Sequence, residues 1–127
     1  MIKKTVNYKD FDKNERTEEL YFNLTELEAT ELALELPAGF LESEGEDRVK
    51  FMEEIGEKGI LDFVKKFVLK AYGIKGGNDG YSFVKSDKIT EDFSNTMAFS
   101  TLVIGLLRSD EELADFINNV MPEKTDN

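Results

Sequence analysis

The spacing of hydrophobic residues changes once along this chain, and that change limits what the chain can fold into. Up to residue 24 they fall on alternate positions: Ile2, Val6 and Tyr8 share one parity, as do Leu20, Phe22 and Leu24. Farther on they recur at steps of three and four, most plainly in Ile60, Phe63, Val64, Phe67, Val68 and Ala71. Alternation makes a strand with one buried and one wet face, whereas steps of three and four make a helix with an apolar stripe. A lone hairpin is marginal in water, so it must rest on the helices. The expected fold class is therefore α+β, with an N-terminal β-hairpin packed on a small bundle of about four or five helices. The hairpin is expected over 1–24, the helical part over 25–122 and a flexible tail over 123–127, all within a single domain 1–122.

Local signals place the elements. Asp10-Phe11-Asp12-Lys13-Asn14-Glu15 is rich in turn formers and separates the two alternating runs. Thr25 followed by Glu28 forms a capping box, so a helix begins there, with Leu27, Leu32, Ala33 and Leu36 on its apolar side and Pro37-Ala38-Gly39 as its stop. The alternation of Leu32, Leu34 and Leu36 also fits a strand. A second helix runs from about Asp47 to Glu57, with Val49, Met52 and Ile55 on one side. The stripe from Ile60 to Ala71 is the clearest helix, ended by Gly73, with Lys65, Lys66 and Lys70 opposite. Gly76 to Gly80 reads as a turn, and Tyr81 to Val84 as a short strand or extended patch. Ser94 is the expected cap of a helix carrying Phe99, Leu102, Val103, Leu106 and Leu107. Ser109 with Glu112 opens a last helix bearing Leu113, Phe116, Ile117 and Val120, which Pro122 ends.

Composition removes whole classes of chemistry. The chain of 127 residues has neither cysteine nor histidine. Disulfides cannot form, zinc sites lose their usual ligands, and Ser–His–Asp or Cys–His nucleophiles lack a member. The net charge of −11 opposes binding to nucleic acid and to anionic membranes, and it favours solubility. No apolar stretch reaches the roughly 20 residues that span a bilayer, and the N-terminus has no signal-peptide pattern, so the cytoplasm is the expected compartment.

The polar clusters that invite a ligand each meet a plainer explanation. Asp10, Asp12 and Asn14 have the spacing that opens a calcium loop, but Glu15 and Tyr21 stand where that loop needs Gly and Glu. Gly76-Gly77-Asn78-Asp79-Gly80 lacks the Lys-Ser/Thr pair of a phosphate-binding loop. Glu42, Glu44, Glu46 and Asp47 read as a solvated, mutually repelling face. No metal, cofactor or catalytic residue is assigned. The apolar arc of the helix from Phe99 to Leu107 includes Met97, Thr101 and Ile104, which is wider than one core face needs. It fits either a central helix surrounded on all sides or a contact with another protein. The candidate protein-binding or self-association residues are Phe99, Leu102, Val103, Leu106, Phe116, Ile117 and Val120.

Five segments in order carry a resemblance. They are the Lys-rich N-terminal hairpin, Phe22-Asn23-Leu24-Thr25-Glu26-Leu27-Glu28, Leu69-Lys70-Ala71-Tyr72-Gly73, Phe93-Ser94-Asn95-Thr96-Met97-Ala98-Phe99, and Phe116-Ile117-Asn118-Asn119-Val120-Met121-Pro122. Together they resemble the tail assembly chaperones of long-tailed phages and prophages (siphoviruses) of Gram-positive bacteria, over almost the whole chain. That family often reads Phe-Ile-Asn-Gly in its penultimate segment, where this chain has Asn119. The resemblance implies a non-catalytic protein of the host bacterial cytoplasm, absent from the mature virion. It implies binding to the tape measure protein, a long helical rod, and recruitment of the major tail tube protein. It further implies a frameshifted longer form, with Pro122-Glu123-Lys124 where such a shift could fall, and the need for many copies along one rod makes self-association an expectation. The competing expectations are a small acidic adaptor or inhibitor of phage or bacterial origin, a DNA mimic, which the interspersed lysines oppose, and a carboxylate hydrolase, for which no acid–base pair stands out.

Overall fold

The computed structural model describes residues 1–76 and 82–122. Strands β1 (Ile2–Lys9) and β2 (Glu15–Phe22) pair antiparallel, with Ile2 opposite Phe22, Lys4 opposite Leu20 and Val6 opposite Glu18. The alternation sorts them as expected. Val6, Leu20 and Phe22 are buried, while Lys3, Thr5, Asn7 and Lys9 face outward. The far half of the hairpin stands clear of the core, and Phe11 at its tip is 76% exposed.

The sheet is larger than a hairpin. β3 (Tyr72–Gly76) pairs with β2, and β4 (Ser82–Val84) pairs with β3, giving the antiparallel order β1-β2-β3-β4. Gly73 therefore does not end a helix as expected; it lies inside β3. There the Phe83 ring covers it so closely that a Cβ would stand 2.4 Å from the ring. A glycine that reads as a helix stop is in fact a site of close approach. Of the expected glycine turn, Gly76 closes β3, and residues 77–81 lie outside the described residues, as do residues 123–127 of the expected tail.

Five helices follow and interleave: α1 (Glu26–Ala33), α2 (Gly45–Ala71), α3 (Asp87–Ser94), α4 (Met97–Arg108) and α5 (Asp110–Val120). The stripe in α2 is buried as read, with Phe63, Val64, Phe67, Val68 and Ala71 all in the core. At Gly56 the backbone leaves the helix, with φ 79° and ψ 166°, so α2 is two helical stretches joined at an angle. Ser94 does not cap α4. Its hydroxyl donates to the Glu91 carbonyl inside α3, and Thr96 caps α4 by accepting from the Phe99 amide at 3.1 Å. α3 itself is not legible in the spacing, because Ile89 and Phe93 are too few to mark a stripe. α4 is the central helix, packed against β1, α2, α3 and α5.

An aromatic cluster ties sheet to helices. Phe22 has no exposed surface and meets Phe116 edge-on at 5.1 Å, Tyr72 at 5.9 Å and Phe93 at 6.4 Å. Phe93 stacks on Tyr72 at 3.8 Å and abuts Phe99 at 5.4 Å. Such pairs add roughly 0.5–1.5 kcal/mol each beyond the area they bury. The α+β class holds, with the hairpin face and the helices sharing this core.

α1 is attached differently. Thr25 and Glu28 form the expected capping box, with the Glu28 amide 3.2 Å from the Thr25 hydroxyl and the Thr25 amide 3.0 Å from the Glu28 carboxylate. The same carboxylate receives Lys85 Nζ at 2.8 Å, which also donates to the Asn23 and Lys70 carbonyls at 2.7 and 2.8 Å. Two further pairs, Lys70 with Glu31 and Lys66 with Glu35, lie along the same side of α1. Those two are largely exposed and worth little each. The half-buried Lys85 is the stronger tie, because it bridges three segments of chain at once. Burial raises the Glu28 pKa, but the hydrogen bonds from Lys85 and the Thr25 amide outweigh it and hold the carboxyl below its usual value.

The expected apolar side of α1 is only partly realised. Ala29 and Leu32 are buried, but Leu27 is 70% exposed. Leu27 and Leu32 are five residues apart, about 140° around a helix, so they cannot share a face. α1 also ends at Ala33 and not at Leu36. The chain tightens into turns in which the Glu35 and Leu36 amides donate to the Leu32 and Ala33 carbonyls, well before Pro37.

Two outcomes follow for stability. Replacing Lys85 with Met should cost about 2 kcal/mol in urea unfolding at pH 7, because two carbonyls and a carboxylate lose a charged donor. A depressed carboxyl stabilises the fold above its unfolded pKa and loses that contribution as pH falls through the folded value. The gap between K85M and the native chain should therefore narrow below pH 4.5. Gly56→Ala should cost about 1–3 kcal/mol, since that combination of φ and ψ is open almost only to glycine; unchanged thermal unfolding would show that the break at Gly56 is absent in solution.

Candidate functional site

Between α1, the segment 34–44, the first stretch of α2 and α5 lies an open groove of about 490 Å³. Each wall follows from how its element is held. α5 turns Phe116 and Val120 into the core, which leaves Leu113, Ile117 and Met121 along the groove. α1 buries Leu32 against α2 and contributes Ala29, Thr30 and Ala33 to the groove. The third wall is Val49, Met52 and Ile55, one face of the first stretch of α2, which meets the rest of that helix through Gly56. Phe63 and Val64 lie at the floor.

The third wall has its own small brace. Phe40 and Phe51 meet edge-on at 5.9 Å, and the Arg48 guanidinium lies 5.4 Å over the Phe40 ring. Arg48 also donates to the Leu41 carbonyl at 3.2 Å and the Ser43 carbonyl at 3.1 Å. These contacts turn Arg48, the one cation lining the groove among the described residues, onto the backbone of the segment before α2. Glu26, Glu42 and Asp110 remain as exposed carboxylates around the opening.

Apolar side chains at and beside this groove face water. Val49 is 55% exposed; Leu27 and Leu34, seven residues apart and next to Thr30 on the helix surface, are 70% and 81% exposed. α1 buries Ala29 and Leu32 and pairs Glu28 and Glu31 with lysines, while Leu27 and, at its C-cap, Leu34 turn outward. Single exposed leucines are ordinary. Here they cluster beside a concave apolar wall, which is the pattern from which an interaction surface can be proposed.

The fold separates the candidate residues read from the sequence. Phe99, Leu102, Val103 and Leu106 are buried in α4, and Phe116 and Val120 are buried in α5. The wide apolar arc of α4 is that of a helix surrounded on most sides, with Ile104 as its exposed member. Ile117 alone of the seven lines the groove. What the sequence reading missed is the first stretch of α2 and α1. The signal was available in Leu27 and Leu34, which cannot share the face of Leu32.

The polar clusters have other occupations. The Asp10 carboxylate accepts from the Asp12 and Asn14 amides and from Arg16 Nε, each at 2.9 Å, and closes the hairpin turn. Arg16 first, then the amides, hold its carboxyl below the usual range. Glu42, Glu44, Glu46 and Asp47 are all exposed. Among the described residues no group of three acidic side chains is placed to hold a metal ion, and no helix is long and apolar enough to cross a membrane.

No curated protein and no solved structure matches the chain significantly. A family model does, and it covers residues 1–127. On that match, which agrees with the order of segments along the sequence, the chain belongs to the phage tail assembly chaperone family.

Proposed function

We propose that this chain is a non-catalytic chaperone that binds the tape measure protein during tail assembly, keeps it soluble and helps bring tail tube subunits to it. Family membership supports a role in tail assembly. The observation that carries the finer reading is the open apolar groove, flanked by outward leucines, on a chain of net charge −11. A long helical rod built to line a tube exposes apolar stripes before the tube forms, and such stripes aggregate. Covering them with acidic subunits removes the stripes from water and makes loaded rods repel one another. Moderate affinity per copy, with many copies along one rod, holds the coat yet lets each copy leave as tube subunits arrive.

In this reading residues 1–122 act as one unit in the host cytoplasm and do not remain in the finished virion. Copies of the chain, with a frameshifted longer form, work side by side on one rod. Charge-substituting Phe99 or Phe116 is a poor test of self-association, because both rings lie in the core.

Co-expression tests the proposal. With this chain present, most of the tape measure protein should pass to the soluble fraction and co-purify with it. A tape measure protein that is equally soluble alone would remove the basis for a chaperone.

A further inference from the structure

We infer that the groove between α1, the first stretch of α2 and α5 seats a single helix of the client. That helix carries three large apolar side chains at i, i+4 and i+7 with lysine or arginine beside them. The inference rests on the reading of this chain as a binder of a long helical protein.

Size sets the number of anchors. A cavity of about 150 Å³ accommodates one benzene-sized group, so a groove of about 490 Å³ has room for roughly three large side chains. One helix presents three such groups on one face within about 10 Å of its length. The walls set the kind of occupant. Every residue lining the groove comes from a helix or from the segments 34–44 and 121–122, and none from the sheet. No strand edge is offered there to pair with an extended peptide, which leaves side-chain packing as the mode of binding.

Charge sets the flanks. Glu26, Glu42 and Asp110 stand at the opening, and Arg48 is directed onto the Leu41 and Ser43 carbonyls. A helix with basic residues next to its apolar stripe meets these carboxylates, whereas an acidic helix is repelled. The same facts disfavour a second copy as occupant. Its charge is also −11, and no helix among the described residues exposes three large apolar side chains at that spacing; α1, α2 and α4 expose one each, Leu27, Val49 and Ile104, with Leu34 just past the end of α1.

A fluorescein-labelled 18-residue helical peptide with Leu at i, i+4 and i+7 and Lys at the adjoining positions serves as the probe, read by anisotropy. The native chain should bind it, and should bind the same peptide with Glu for Lys at least tenfold more weakly. V49K should weaken binding of the Lys peptide at least tenfold, while I104K, outside the groove, should change it less than twofold. Val49 is exposed, so V49K should keep the native circular dichroism and unfolding midpoint. Equal binding of the two peptides, or equal effects of V49K and I104K, would overturn the inference. So would a native dimer in light scattering that V49K converts to monomer, since the groove would then be a seam between copies. If V49K loses the peptide but still solubilises the tape measure protein, the groove assignment fails and the chaperone reading stands. If the native chain solubilises nothing, the chaperone reading itself fails.

Discussion

Phe22 is the residue on which the arrangement depends. It ends β2 on the buried side of the hairpin, and its ring reaches Tyr72 at the end of α2, Phe93 of α3 and Phe116 of α5. One side chain thereby fixes a local, period-two element against the junction of α2 with β3 and against two helices distant in sequence. Its demand on α5 matters most for function. With Phe116 and Val120 drawn into the core, the neighbouring stripe of Leu113, Ile117 and Met121 packs only partly against it, and its remaining surface becomes one wall of the groove.

The opposite wall depends on charge. α1 buries Ala29 and Leu32, and Lys85 ties its first turn to the ends of β2 and α2 through Glu28, Asn23 and Lys70. A helix so held does not need its remaining leucines for packing. Leu27 and Leu34 are free to face outward at only the cost of exposed apolar surface, roughly 25 cal/mol per Å². Using a partly buried ion pair where a stripe of leucines would serve leaves apolar surface available to another protein.

Much of this was legible in the residues. The change of period at residue 25, the Thr25–Glu28 box, the stripe of α2 and the caps near Ser109 all act locally, and local signals survive into the fold. Two misreadings share a cause, which is that a distant contact decided the outcome. Gly73 is required by the Phe83 ring, ten residues away, and not by a helix end. α3 is held by Phe93 in the aromatic cluster, with too few apolar residues to announce itself. The candidate contact residues of α4 and α5 were those of the regular apolar stripes, and the core claimed six of the seven. The groove came instead from medium-sized residues on three elements, Val49, Met52 and Ile117 among them, which no single stretch of sequence brings together.

In the proposed function, the apolar wall formed by α1, the start of α2 and α5 is the surface that meets the client. Hydrogen–deuterium exchange on the chain alone and in its purified complex with the tape measure protein tests it directly. The account predicts added protection in residues 26–55 and 110–121, with the exposed hairpin tip around Phe11 unchanged. Added protection confined to the hairpin or to α3, with none along the groove, would contradict it.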